Sequence, residues 1–234
     1  MKKVFAVSVL TLILAAAAVA AAAAIPAFSV REEGHVTIVI DPGHGGEDGG
    51  AVSADGLLES EVNLAIALRL DQLLGLCGIP ASLTRSEDTI AYPEEAVTTR
   101  QRKRADQEYR VSLVNGTPQA VLLSIHQNKY SSAAPKGPQV FFGMPAGSEA
   151  FGKHLQEILR RLTGTRRQAV PVSEEIYLLR QAACPSVLVE CGFLSNPEES
   201  ELLRTDAYRT KLAAALAAGC FSAIQELEHC HGEA

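Results

Sequence analysis

Four ionisable residues stand at or near the ends of apolar runs. His44 follows Val36–Ile40 in the stretch VTIVIDPGHGGEDGG, and Glu59 opens the periodic run LLESEVNLAIAL. His126 ends AVLLSI, and Glu190 closes VLV in the run SVLVEC. An ionisable group placed directly after buried residues is costly unless it has a partner. Two histidines and two glutamates emerging near one sheet edge can partner one another through a metal. Zinc takes imidazole nitrogen and carboxylate oxygen, and a catalytic zinc uses three protein ligands plus a water. His44, Glu59 and His126 would form that set around Zn2+. Glu190 is then the spare carboxylate, a general base on the water and later a proton donor to a leaving nitrogen. The ligands lie far apart in the chain, so spacing alone carries little weight.

Each residue also has a plainer reading. Glu59 fits as an acid favoured at a helix N-terminus, and His126 as a satisfied core histidine. Glu190 can pair with an arginine such as Arg180. Glu61 competes with Glu59, but residues two apart point to different helix faces, so only one reaches a metal. Asp41 and Asn128 fit either as groups that orient ligands or as turn residues. His35 falls in a linker, His154 on an exposed helix face, and His229-Cys230-His231 in a polar tail without a fourth ligand.

The elements that must position these residues follow from periodicity. Strands are expected at Val36–Asp41, Ile79–Thr84, Ala120–Ile125, Gln139–Phe142 and Ser186–Cys191. Helices are expected over 57–75, within 94–115 with Asp106 as a candidate cap, and over 146–162, 197–203 and 208–227. Ile176–Leu179 is a short apolar run, and Arg85–Thr89 reads as a polar turn. The basic run Arg100–Arg104 reads as a solvated face. Strand and helix alternate without a repeat, which implies an α/β fold. It is a three-layer sandwich with a mixed, mainly parallel sheet between helices. The glycines around His44 shape a loop at the carboxyl end of a strand, where ligands bind in open α/β sheets. They are expected to keep bulk away so that a substrate approaches the metal.

Of 234 residues, 47% are hydrophobic and 21% charged, as in ordinary globular chains. A net charge of -6 leaves no basic footprint for nucleic acid. Met1-Lys2-Lys3 and the uncharged run Val4–Phe28 have the form of an export signal. The run is also long enough to span a bilayer, so a cleaved signal and a membrane anchor both stand. Either places residues 30 onward outside the cytoplasm. The expected organisation is a signal or anchor over 1–29, a linker over 30–35, a catalytic domain over 36–228 and a polar tail over 229–234. The five cysteines are odd in number and irregularly spaced, unlike a disulfide framework. Cys77, Cys191 and Cys220 are expected to be buried, and one bridge stays open.

IVIDPGHGGEDGGA, GLLESEVNLAIAL, SIHQN and VLVECGFLSNPEE, in this order, resemble the zinc-dependent N-acetylmuramoyl-L-alanine amidases of bacterial cell walls. The resemblance covers about residues 36–228. It implies zinc ligands at His44, Glu59 and His126, a catalytic Glu190, a three-layer α/β sandwich and peptidoglycan as substrate. RVSLVN, SIHQN and IYLLRQAACPSVLVECGFLSN look like the germination-specific amidases of spore formers. That implies action on spore cortex, in one pathway with a peptidoglycan deacetylase that helps form muramic δ-lactam. Lys129-Tyr130 and Pro138 depart from the family pattern, away from the metal positions. Two other readings keep the same residues: another zinc peptidase or amidohydrolase, and an inactive wall-binding protein.

Overall fold

Strand β1 (Thr37–Pro42) is the axis of a six-stranded sheet ordered β2-β1-β3-β6-β4-β5. β2 is Ala81–Leu83, β3 is Ala120–Asn128, β4 is Gln139–Phe142, β5 is Val170–Pro171 and β6 is Ser186–Phe193. β2, β1, β3 and β6 are mutually parallel, β4 runs antiparallel to β6, and β5 is parallel to β4. The computed structural model describes residues 35–232, with side chains through Gln225. The export or anchor segment and most of the linker lie outside the described residues.

The inner strands read as nearly continuous apolar runs because both their faces are covered. Successive side chains alternate between faces. Ile38, Ile40, Val121, Leu123, Val187 and Val189 join one core, and Val39, Leu122 and Leu188 join the other. The first core packs against helices α1 (Glu59–Leu76), α3 (Ser148–Thr163), α5 (Pro197–Arg204) and α6 (Asp206–Gly232). Leu70, Leu155, Leu203 and Leu216 are fully buried there. The second core packs against α2 (Thr99–Gly116) and α4 (Tyr177–Gln181) through Val114, Leu178 and Leu179. This is a three-layer α/β sandwich with a mixed, mainly parallel sheet.

Several expectations shift. His126 lies inside β3, which pairs with β6 as far as Asn128, rather than just past the strand. The helix within 94–115 begins at Thr99 and is capped by Thr98, in a reciprocal capping box with Gln101. Asp106 is no cap: it is buried mid-helix, accepts the Ala91 N–H at 2.9 Å and pairs with Arg110 at 2.7 Å. Ile176–Leu179 contributes to a short helix, and α6 runs on to Gly232, so 229–231 are helical rather than a loose tail. Cys77 is exposed at the end of α1, while Cys191 and Cys220 are buried; the described cysteines are free.

Candidate metal centre

At the carboxyl ends of β1 and β3 the chain brings together three of the four residues first singled out. One side-chain donor atom each from His44, Glu59 and His126 lies within 4.8 Å of the others. The Glu59 carboxylate sits between the two imidazoles. Its Oε1 is 2.9 Å from His126 Nδ1 and its Oε2 is 3.4 Å from His44 Nε2. The rings meet edge to face with centroids 5.0 Å apart. Glu59 is only 4% exposed. Burial opposes its charge, but the two histidines outweigh that and lower its pKa. Backbone N–H groups of Ala51 and Gln127 also donate to it, at 2.8 and 3.1 Å.

Local sequence explains this convergence. Glu59 is the first residue of α1, whose N-terminus has no side-chain cap. Instead the Glu59 and Ser60 N–H groups donate to the carbonyls of Ala51 and Gly49, which pins the glycine loop onto the helix end. A Cβ on Gly50 would stand 2.6 Å from Glu59 Oε2 and 2.7 Å from His44 Cδ2, and its φ is +67°. A Cβ on Gly43 would stand 2.2 Å from the His126 ring. Gly43 and Gly50 therefore make room for the side chains of His44, Glu59 and His126. A Cβ on Gly45 would stand 2.4 Å from the Thr89 carbonyl oxygen and one on Gly46 3.5 Å from the backbone of residues 89–90, so neither lines the open space for a substrate that the sequence led us to expect. His44 itself is held at φ 61°, a left-handed conformation few non-glycine residues adopt.

The competing partners lie elsewhere. Glu61 points away and pairs with Arg209 at 3.2 Å. Arg180 pairs with Glu174, not with Glu190. Glu190 pairs in register with His126, and its Oε2 is buried without a hydrogen-bond partner among the described residues. Burial, with the Glu59 charge nearby, pushes its pKa up to about 7 against the opposing pull of His126 and His44. Asp41 is no metal-site residue. It is buried under Thr84, Ser124 and Arg110 at 2.6–2.7 Å. His154 is exposed on α3.

Three participants were not visible in the sequence. Asp48 Oδ2 lies 3.0 Å from His44 Nδ1, which leaves Nε2 directed at Glu59. A carboxylate on the remote nitrogen is the usual device for orienting a metal-ligating histidine. Arg85 and Arg110 clamp the loop from beneath. Arg110 donates to the Pro42 and His44 carbonyls at 2.8 Å, and Arg85 to Pro42 at 2.9 Å and Gly43 at 3.1 Å. Asn63 adds a bond to the Gly43 carbonyl at 3.1 Å. Asp48 sits among loop glycines with no apolar run to mark it, and the two arginines reach these carbonyls across 42 to 68 residues of chain, so no local pattern announces them. The basic run is not wholly solvated either. Arg102 reaches Glu47 at 2.8 Å and Lys103 reaches Asp48 at 2.6 Å.

Two imidazole nitrogens and one buried carboxylate, with His44 oriented by Asp48, suit a borderline cation that accepts nitrogen and oxygen donors. Among the described residues the buried Glu190 Oε2, on the strand position paired with His126, makes no hydrogen bond.

Known proteins give a consistent answer. The model of the Amidase_3 family, N-acetylmuramoyl-L-alanine amidase, matches residues 38–222. The germination-specific N-acetylmuramoyl-L-alanine amidase of Bacillus subtilis is 40% identical over 184 residues, 78% of this chain and 77% of that protein. N-acetylmuramoyl-L-alanine amidase AmiA of Escherichia coli is 30% identical over 237 residues, 82% of this chain and 77% of that one. Among solved structures, the CwlD amidase from Clostridioides difficile, in complex with the GerS lipoprotein, superposes with a TM-score of 0.78 at 35% identity. That match covers 82% of this chain and 99% of CwlD.

Proposed function

This chain belongs to the Amidase_3 family and is a peptidoglycan N-acetylmuramoyl-L-alanine amidase, and from that premise we propose a zinc-dependent mechanism in spore cortex. The observation that carries the mechanism is the convergence of His44, Glu59 and His126 donor atoms within 4.8 Å, beside the unpartnered Glu190 oxygen. The bond cut is the amide between the lactyl group of N-acetylmuramic acid and L-alanine.

His44, Glu59 and His126 would hold the zinc. When bound, the ion polarises the scissile carbonyl and makes water acidic enough to attack near neutral pH. Glu190 accepts a proton as the water oxygen bonds to the carbonyl carbon. It then returns that proton to the amide nitrogen as the C–N bond breaks, leaving a lactyl carboxylate and a free amine. Asp48 holds the His44 tautomer, and Glu59 stays ionised between the imidazoles.

The resemblance to germination-specific enzymes supports a role in cortex, where the bared muramic acid passes to a deacetylase route toward muramic δ-lactam. The lysines and apolar run at residues 1–29 support export to the wall side of the membrane, as an anchored or secreted protein. Residues 30–234 should release stem peptides with a free L-alanine amine and unsubstituted muramic acid from purified cortex, read by mass analysis. Chelation should abolish release and zinc restore it. Chelator-resistant release would overturn the zinc reading, and peptide-bond products would favour another peptidase.

A further inference from the structure

One arginine at the same sheet edge is built like an anion receptor and has no place in the chemistry above. Arg167 stands just before β5. Its Nη1 donates to Gln139 Oε1 at 2.8 Å and its Nε to the Lys136 carbonyl at 3.1 Å. Its guanidinium lies 4.6 Å above the ring of Phe193, which is fully buried. All these partners are neutral. Among the described residues no carboxylate lies at ion-pair distance from Arg167, and Nη2 makes no hydrogen bond. The Glu199 carboxylate lines the same cavity and feels the Arg167 charge, but it lies beyond ion-pair distance and accepts the N–H groups of Gly137 and Phe193, both at 2.8 Å. An arginine held rigid by neutral groups with one edge of its fork unused is set to bind a carboxylate.

Its position relates it to the reaction. Gln139 pairs directly with Glu190 across β4 and β6, and Glu190 with His126 across β6 and β3. Register partners share a face, and neighbouring strands stand about 4.8 Å apart. The Arg167 fork, one hydrogen bond beyond Gln139, is therefore on the order of 10 Å from the Glu190 carboxylate, about three extended residues of chain. Beyond it opens a cavity of about 780 Å3, lined by Lys136, Arg166, Arg167, Glu198, Leu202 and Tyr208. Lys136 is paired there with Glu198, while Arg166 is exposed and, among the described residues, has no ion-pair partner.

We propose that Arg167 binds a carboxylate of the stem peptide, on one of the two residues that follow L-alanine, and so selects acidic over amidated stems. The assignment rests on the amidase reading. It concerns the leaving peptide and leaves the metal and Glu190 untouched.

The test uses four soluble muropeptides, with the carboxylates of the second and third stem residues both free, singly amidated in turn, or both amidated. The unaltered enzyme should cleave the acidic stem with a kcat/KM about ten- to a hundredfold above the doubly amidated one, the range for a hydrogen-bonded charge. The singly amidated pair identifies which carboxylate is held. Arg167→Met keeps an unbranched side chain of similar reach beside Phe193 and removes the charge. It should raise KM for the acidic stem until the preference vanishes, with the amidated stem changed less than about threefold, and Arg167→Lys should restore part of the preference. The ratio between stems does not depend on how much variant is folded. Equal losses of Arg167→Met on all four stems, or no preference in the unaltered enzyme, would overturn the subsite while amidase activity stands. An unaltered enzyme that cleaves none of the four would overturn the amidase reading and the subsite with it.

Discussion

His44 carries more constraints than any other residue of the site. Its backbone is left-handed, its Nδ1 is tied to Asp48 and its Nε2 faces Glu59. Asp48 should therefore matter to the metal without touching it. Asp48→Ala is expected to weaken zinc affinity about 10- to 100-fold, read by competition with a chromophoric chelator. Glu190→Gln should do the reverse: full zinc content, with turnover lower by about 10²- to 10⁴-fold, the usual contribution of a general base. Zinc loss in Glu190→Gln would count against its assigned role. The glycines belong at this scale as well. A methyl group at Gly43 would collide with the His126 ring, so Gly43→Ala should lose zinc and turnover together. The convergence of His44, Glu59 and His126 was legible because charge at the end of a buried run demands a partner. Asp48 was not, because in a loop so rich in glycine an aspartate already has a sufficient reason to be there.

At the scale of elements, the end of β1 is held by side chains from other elements rather than by its own loop. Three consecutive carbonyls, of Pro42, Gly43 and His44, receive bonds from Arg85, Arg110 and Asn63. Arg110 also joins Asp41 of β1 to Asp106 of its own helix, at 2.7 Å each. Removing it would leave two buried carboxylates without their cation. Arg110→Met should cost about 3–5 kcal/mol, the range for breaking one side of a buried ion pair, measured by urea unfolding. Lys103, half exposed beside Asp48, should cost no more than about 1 kcal/mol when replaced by Ala. The helix α2 that delivers Arg110 was legible only in outline. Its apolar stripe is thin because buried Asp106 and Arg110 take core-facing positions that periodicity assigns to hydrophobes. Two-residue β5 offers no period to read.

For the whole molecule, alternation along β1, β3 and β6 told the fold because each inner strand feeds two separate cores, and a run apolar at every position has no other stable home. Asp41 is the buried polar residue of β1 in that pattern. It occupies a position on the α2 face of β1, wholly enclosed, and its charge ties sheet to helix. Burial alone would raise its pKa, but Arg110, Ser124 and Thr84 outweigh that and lower it from 3.8 to about 2. Between those values the unfolded chain binds a proton that the folded chain does not, so stability rises with pH through this window. The contribution is fully present above pH 3.8 and is lost as pH falls through about 2. At about 1.4 kcal/mol per unit it amounts to roughly 2 kcal/mol. Urea unfolding of the protein and of Asp41→Asn at steps from pH 6 to pH 2 would isolate it. The variant should start less stable, because Arg110 loses an anion, yet fall less steeply in acid, and the two stabilities should converge by roughly 2 kcal/mol at the acid end. Parallel curves would show that Asp41 does not hold its charge in the fold, and the link between β1 and α2 would then rest on the carbonyl bonds of Arg110 alone.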